Sequence, residues 1–329
     1  MLEPEVKETK AGAAARITLN RPKALNALTR EMVQRMSRIL SEWEADPGVK
    51  LIVADAAGDR AFCAGGDVAR LYAEGTAGNN AYCTDFWAEN YALNAQIAGL
   101  STPYVALMDG IVMGGGVGIS AHGAHRVVTE RTVLAMPECG IGLVPDVGAS
   151  HLLARAPEGL ARLIALTGLR LGPADCIALG LADSFVPSDQ LPALTSALME
   201  AADASPIAAF SEPPGPGTLP DPQAAAETFA GQLPEAIAER LEQNRQDWAQ
   251  NAAAALRRVS PISLQLTLKL LDAARQDSSL LRCLARDLNA ASYCLAAGDF
   301  LEGVRAAIIE KDRNPNWKPI TFASPEVSL

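Results

Sequence analysis

Two glycine-rich turns carry the strongest chemical signal in this chain. One is Phe62–Asp67 (Phe-Cys-Ala-Gly-Gly-Asp) and the other is Met113–Gly116 (Met-Gly-Gly-Gly). Each comes after an apolar run typical of a buried strand, Leu51–Ala54 and Tyr104–Met108. Glycine lets a backbone turn sharply and approach a ligand, so two such turns can aim two N–H groups at one oxygen. This geometry stabilises charge on a carbonyl oxygen and predicts an enzyme acting on an activated carbonyl group, with ordinary tight turns as the structural alternative.

Two carboxylates stand in an apolar, turn-rich segment over residues 136–148. Glu138 and Asp146 are surrounded there by Met, Cys, Ile, Leu and Val. Burying a carboxylate is costly unless it is paired or functional, and burial raises its pKa towards the range useful for acid–base catalysis. Both are therefore candidate catalytic groups. The alternative is a carboxylate that pins a loop, or for Asp146 one that caps the next helix.

Other catalytic arrangements find little support. His122 and His125 could form a metal pair, but no third ligand has suitable spacing, and a pair at a helix end is favoured. The sequence contains no G-x-S-x-G elbow, no P-loop and no G-x-G-x-x-G motif. No metal or separate cofactor is predicted. Six scattered cysteines without a C-x-x-C pair indicate reduced thiols and a cytoplasmic location.

The elements that must position these residues alternate between strands and helices. Residues 14–19 predict a first strand, and Thr29 is placed to cap a helix whose buried face begins at Met32 and Met36. Further strands are expected at 104–108, 126–129, 133–135 and 183–186. The alternation predicts an α/β fold with largely parallel strands.

Composition divides the chain into three parts. Residues 1–204 form the predicted α/β core, residues 205–222 a Pro/Gly-rich linker, and residues 223–329 a helical region in which Ser260 and Pro261 open a helix. The helical region is either a subdomain on the core or an oligomerisation arm. A net charge of −10 argues against nucleic acid or an anionic membrane as partner, and no stretch is apolar enough to span a membrane. An anionic small ligand remains allowed where basic residues gather, for which Lys23 and Lys311 are candidates.

Together these segments resemble the enoyl-CoA hydratase/isomerase (crotonase) superfamily. The matching text comprises residues 19–28, 61–67, 110–116 and 136–138, in this order. The resemblance implies a ββα-turn spiral core, a coenzyme A thioester as substrate, and an oxyanion hole formed by the N–H groups of Gly66 and Gly115. It also implies that coenzyme A, as part of the substrate, lies along two short segments, Lys23, Ala24 and Leu25, and Ala64, Gly65 and Asp67.

One departure from that pattern bears on the reaction. Hydratases of the family carry two catalytic glutamates, the first at the position of Gly118 and the second at that of Glu138. Glycine has no acid or base, so the usual two-glutamate hydration is disfavoured. The chain instead resembles the 3-hydroxyisobutyryl-CoA hydrolase branch, including the segments 299–306, 310–312 and 316–319. This resemblance implies substrate-site roles for Gly115, Glu138 and Asp146. That branch has a site glutamate where this chain has Asn90, with Glu89 one step earlier, and Asn90 is therefore a candidate substrate-binding residue.

The expected reaction is hydrolysis of a short 3-hydroxyacyl-CoA thioester, which the resemblance places in valine catabolism. Glu138 is expected to act as nucleophile or as general base, and Asp146 to orient it or to bind the substrate hydroxyl or water. Two alternatives stay open at this point. One is an enoyl-CoA hydratase or isomerase, and the other is a non-catalytic acyl-CoA-binding protein. A homo-oligomer is compatible with either.

Overall fold

The computed structural model describes residues 5–231 and 233–319. Within these ranges the chain forms nine β-strands and fifteen α-helices. The strands are β1 (Val6–Ala11), β2 (Ala14–Leu19), β3 (Leu51–Ala56), β4 (Ala61–Cys63), β5 (Tyr104–Met108), β6 (Ile111–Met113), β7 (His125–Val128), β8 (Val133–Ala135) and β9 (Ser184–Phe185). The helices are α1 (Arg30–Ala45), α2 (Val68–Thr76), α3 (Asn80–Gly99), α4 (Gly115–Gly118), α5 (Ala149–Leu153), α6 (Glu158–Thr167), α7 (Pro173–Ala178), α8 (Leu191–Ala201), α9 (Ile207–Phe210), α10 (Pro222–Thr228), α11 (Pro234–Gln243), α12 (Asp247–Leu256), α13 (Pro261–Gln276), α14 (Leu280–Ala297) and α15 (Asp299–Val304).

Two compact units make up the described chain, and neither is one continuous stretch. The first unit contains residues 5–66, 89–134 and 171–218. The second contains residues 67–88, 135–170, 219–231 and 233–319. The division into 1–204, 205–222 and 223–329 stays a prediction, and its residues 1–4, 232 and 320–329 lie outside the described chain.

A six-stranded sheet organises the first unit. Its strand order is β1-β2-β3-β5-β7-β9, in which β1 is antiparallel to β2 and each other neighbouring pair is parallel. Apolar side chains from the strands pack with α8 into one core, formed by Ala14, Leu51, Val53, Val105, Leu107, Val127, Val186, Leu194, Leu198 and Ile207. The sheet confirms the predicted α/β class, and the continuous apolar runs reflect parallel strands that are buried on both faces.

Local signals set the first helix and its packing face. The Thr29 side chain accepts a hydrogen bond from the Met32 N–H, as predicted for the cap of α1. The helical-period residues then lie buried on one side of α1, namely Met32, Met36, Ile39, Leu40 and Trp43. This helix closes one side of the first unit, and its prediction from sequence is confirmed.

Three strands escape the pattern analysis. Strand β1 is polar, and of its six side chains only Val6 is buried, so no alternation marks it. Strands β4 and β6 are only three residues long, and they belong to a second sheet of order β4-β6-β8. The predicted helix-end pair of histidines is wrong, because His125 begins β7 and pairs with Val105 of the central sheet.

Helices dominate the second unit and position its carboxylates. Helix α13 begins after Ser260, whose hydroxyl accepts from the Ser263 N–H, and it packs against α5, α6 and α14. Helix α15 lies against a 3₁₀ turn, Glu138–Ile141, so closely that a Cβ atom on Gly303 would stand 2.3 Å from the carbonyl carbon of Ile141. The mostly helical C-terminal region is thus confirmed. Among the helices that the structure describes, none is long and apolar enough to cross a membrane.

Candidate active site

The two glycine turns meet in the first unit. Leu28 forms a bridge with Gly66 at the exit of β4, and the Leu28 N–H donates to the Gly65 carbonyl oxygen at 2.8 Å. A Cβ atom added to Gly115 would lie 3.5 Å from the Gly66 nitrogen. Across the described residues, neither the Gly66 N–H nor the Gly115 N–H donates to a backbone acceptor. Two unused donors therefore stand close together, which is the arrangement that an oxyanion hole requires.

Close backbone contact between the turns explains the third glycine of the second turn. A Cβ atom on Gly116 would stand 2.3 Å from the Cys63 carbonyl oxygen. No side chain larger than hydrogen fits there without separating the two backbones. Cys63 itself offers no nucleophile, because burial raises the pKa of its thiol to about 12 and keeps it protonated.

The segments expected along coenzyme A are adjacent. Lys23 and Ala24 belong to a short 3₁₀ turn, and the Ala64 N–H donates to the Leu25 carbonyl oxygen at 3.0 Å. Lys23 is exposed at a small cavity of about 180 Å³. Sequence reasoning missed Asn26, whose buried amide donates to the carbonyl oxygens of Ala57 and Ala61 and thereby fixes this segment to the start of β4.

Asn90 is buried on α3, while its neighbour Glu89 is committed to an ion pair. The Asn90 Oδ1 atom has no hydrogen-bond partner among the described residues. One helical turn later, the Oδ1 and Nδ2 atoms of Asn94 also have none. Glu89 accepts from Arg30 and Gln34, and the Arg30 guanidinium lowers its pKa. Glu89 therefore holds α3 to α1 and is occupied by that role.

Glu138 and Asp146 come together in the second unit. Glu138 begins the 3₁₀ turn that contacts α15, and it is 5% exposed, while Asp146 is 6% exposed. Burial and the nearby Asp146 carboxylate raise the pKa of Glu138 well above its usual 4.5. The Glu138 Oε2 atom is buried and accepts no hydrogen bond from the described chain. A buried, unpartnered carboxyl with a raised pKa is suited to proton transfer or nucleophilic attack.

A third carboxyl group, Asp287 of α14, was missed by the sequence analysis. It is fully buried, and its Oδ2 atom accepts a hydrogen bond from the Gly148 N–H at 2.8 Å. Burial and the charge of Asp146 raise the pKa of Asp287 as well. A signal was present in the sequence, because Asp287 shares a helix face with the apolar residues Cys283, Ala290, Ala291 and Cys294.

Asp67 and Lys311, two residues predicted to contact coenzyme A, are more exposed than the buried carboxyl groups. Asp67 caps α2 by accepting from the Arg70 N–H. Lys311 is exposed and adopts a left-handed backbone with φ +60°. Arg313, close to Lys311 in sequence, and Arg258 line a cavity of about 590 Å³ together with Gly140, Gly303, Ala306, Ala307 and Pro315. These two arginines therefore stand at a cavity that reaches the Glu138–Ile141 turn.

Position 118 bears on which reaction the site supports. Gly118 is the last residue of α4 and is buried, so α4 presents no acid or base there. Among the described residues of the second unit, the buried carboxyl groups are Glu138, Asp146, Asp287 and Asp299. Asp299 accepts from the Ser260 hydroxyl and the Lys318 N–H.

Known proteins are similar to this chain in sequence and in fold. The enoyl-CoA hydratase/isomerase family model matches residues 14–328. The chain is 39% identical to the 3-hydroxyisobutyryl-CoA hydrolase, mitochondrial, of Danio rerio, over 97% of this chain and 86% of that protein. It is 44% identical to the solved enoyl-CoA hydratase from Rhodobacter sphaeroides 2.4.1, with a TM-score of 0.88 over 96% of this chain and 93% of that one. A carnitinyl-CoA dehydratase from Mycobacterium thermoresistibile is 38% identical, with a TM-score of 0.93 over 99% and 96%. These similarities confirm the crotonase fold, and the chain belongs to the enoyl-CoA hydratase/isomerase family.

Proposed function

We propose that this acyl-CoA enzyme hydrolyses 3-hydroxyisobutyryl-CoA to 3-hydroxyisobutyrate and free coenzyme A. The observation that carries the proposal is the buried Glu138 carboxyl, unpartnered at Oε2 beside Asp146, in a chain with glycine at position 118. Hydrolysis needs one group to activate water or attack the carbonyl carbon, and Glu138 supplies it. The relative from Danio rerio is a hydrolase by name and supports the same choice.

The two glycine turns supply the electrostatic part of the reaction. Attack on the thioester carbon pushes negative charge onto the carbonyl oxygen, and the Gly66 and Gly115 N–H groups hydrogen-bond that oxygen. Because these donors are fixed before the reaction begins, they stabilise the transition state without reorganisation. One such donor typically contributes on the order of 10²- to 10³-fold in rate.

Glu138 supplies the chemical step. As a nucleophile it forms an acyl-enzyme anhydride and expels the thiolate of coenzyme A, and water then hydrolyses the anhydride. As a general base it takes a proton from water while the water oxygen attacks the thioester carbon. A single turnover in ¹⁸O-labelled water separates the routes. Label on Glu138 after product release identifies the nucleophilic route with attack of water on the glutamyl carbon of the anhydride, whereas the general-base route sends all of the label to the released acid.

Coenzyme A needs positive charge for its phosphates in a protein of net charge −10. Arg258 and Arg313 stand at a cavity that reaches the Glu138–Ile141 turn, so we add them to Lys23 and Lys311 as candidate phosphate ligands. Ala24, Leu25, Ala64 and Gly65 would follow the pantetheine arm with backbone contacts. Cytoplasmic location and homo-oligomerisation stay predictions from the sequence.

A thiol-release assay tests the proposal on 3-hydroxyisobutyryl-CoA and crotonyl-CoA in parallel. We expect rapid release of free coenzyme A from the first substrate and no change at the double bond of the second. Glu138→Gln should reduce the rate by about 10²-fold or more, while the exposed Glu31→Gln serves as a matched control with unchanged rate.

The alternatives give different results in the same experiment. Hydration of crotonyl-CoA without thiol release would favour the activity named for the Rhodobacter sphaeroides structure. Binding of both thioesters by calorimetry without any turnover would indicate a non-catalytic acyl-CoA-binding protein. Full activity of the Glu138→Gln variant would remove Glu138 from the mechanism.

A further inference from the structure

Asp287 is an unusual residue for the middle of a packed helix. Its side chain is 0% exposed, on a face of α14 that is otherwise apolar. Oδ2 accepts from the Gly148 N–H, whereas Oδ1 is buried and has no hydrogen-bond partner among the described residues. Burying a carboxyl group costs free energy, whereas burying a leucine or alanine at this place in the helix would be favourable. The hydrogen bond from the Gly148 N–H to Oδ2 therefore indicates the role of Asp287.

That contact holds a strained turn. Val147 has φ +53° and Gly148 has φ +77°, so two consecutive residues adopt left-handed backbone. A β-branched residue such as Val147 rarely does so, because its side chain crowds the backbone, and it persists only where surrounding contacts impose it. The Ala149 N–H closes the turn from within by donating to the Asp146 carbonyl oxygen at 2.8 Å. Asp287 fixes the same turn from another helix.

The turn directly follows Asp146, so its geometry sets where the Asp146 carboxylate points. We propose that Asp287 is a positioning residue, which fixes the Val147–Gly148 turn through the Gly148 N–H and thereby holds the Asp146 carboxylate beside Glu138. The inference rests on the proposed function to the extent that Asp146 serves the reaction. Asp287 itself touches neither substrate nor the reacting atoms in this role.

Burial and the neighbouring charged groups both shift the pKa of Asp287. Asp146 faces Asp287 from the turn, while Arg286 and Cys283 flank it on α14. Burial is the main cause that raises the pKa of Asp287 well above 3.8, the Gly148 N–H lowers it, the Asp146 charge adds to the rise, and Arg286 lowers it least. Asparagine has the same shape, is neutral, and keeps an oxygen for the Gly148 N–H, so it should replace Asp287 in function.

The experiment compares Asp287→Asn with Asp287→Leu, which removes the acceptor. Asp175→Leu is the matched control, because Asp175 is also buried and also accepts a backbone N–H, that of Thr218 at 2.8 Å. We measure kcat and KM for thiol release, the pH profile of kcat, and hydrogen–deuterium exchange of peptides covering residues 146–153.

The Asn variant should keep kcat within about threefold and leave the pH profile unchanged. The Leu variant should lose about tenfold or more in kcat with KM nearly constant, since misplacing a catalytic group by about 1 Å costs up to 10²-fold. Its 146–153 peptides should also exchange faster. The Asp175→Leu control should lower the melting temperature, while kcat, KM and the hydrogen–deuterium exchange of residues 146–153 stay unchanged.

Several results would overturn the proposal. If Asp287→Asn loses as much activity as a folded Leu variant, or loses one limb of the pH profile, Asp287 acts through its charge. If Asp287→Leu keeps full activity and exchange protection, the contact positions nothing. Should the Leu variant not fold, the Asn variant still tests the proposal, because a loss of kcat greater than about threefold or a lost limb of the pH profile would overturn it. If the wild-type protein releases no thiol, the proposed hydrolysis fails, while the exchange data still show whether Asp287 holds the turn.

Discussion

Gly116→Ala is the substitution that tests the oxyanion geometry most directly. The added Cβ atom would stand 2.3 Å from the Cys63 carbonyl oxygen, whereas real Cβ contacts are essentially never shorter than 3.0 Å. The two turns must therefore separate by about 0.7 Å, because the obstacle is backbone and no rotamer can relieve it. A displacement of this size exceeds the roughly 0.5 Å within which a catalytic constellation has to be held.

The expected loss follows from the donors involved. Moving the Gly115 N–H away from the oxyanion removes an interaction worth about 2.7–4 kcal/mol, so kcat for thiol release should fall about 10²- to 10³-fold. Overpacking also costs about 1–3 kcal/mol of stability, and the assay must be run well below the melting temperature of the variant. KM should change much less than kcat, since the interaction is made mainly in the transition state.

Two companion variants make the comparison interpretable. Gly115→Ala would place its Cβ 3.1 Å from the Leu28 Cδ1 atom, the far end of a flexible side chain, so its loss should be smaller. Gly99→Ala, at the end of α3, meets nothing within 4 Å and should leave kcat unchanged. If a folded Gly116→Ala enzyme keeps a rate similar to that of Gly99→Ala, the proposed oxyanion hole is refuted.

Two further predictions concern charge. Because burial and Asp146 raise the pKa of Glu138, and Glu138 must be ionised to act, kcat should rise with pH at a midpoint above 4.5. Asp146→Asn removes the neighbouring negative charge and should move the midpoint of the residual activity to lower pH, and an unchanged or higher midpoint would contradict the electrostatic effect of Asp146 on Glu138. Arg313→Glu, at the cavity that Arg258 also lines, should raise KM for the thioester about tenfold with little change in kcat. With a dephosphorylated coenzyme A thioester, the KM values of the wild type and the Arg313→Glu variant should differ less. An equal ratio of KM values for both thioesters would indicate that the phosphates bind elsewhere.

The sequence alone predicted the class of fold and the chemical nature of the site. Apolar runs at 104–108 and 133–135 and the Thr29 cap are local signals, and each specifies its element without help from distant residues. The glycines of both turns could be recognised for the same reason, since their small size is a property of the residue itself. Strands β4 and β6 were not recognised, because each is short and runs directly into a glycine turn, whose residues mask the strand signal.

Only the tertiary structure decided which groups meet. The 2.3 Å approach of Gly116 to Cys63 and the free N–H groups of Gly66 and Gly115 depend on two turns about fifty residues apart in sequence. Asp287 lies 139 residues after Gly148, and its hydrogen bond to that turn appears in no local pattern. Its raised pKa, like that of Glu138, comes from burial and from a neighbouring carboxylate. Burial and through-space charge belong to the packed molecule, and for that reason the residues could be named from the sequence while their states could not.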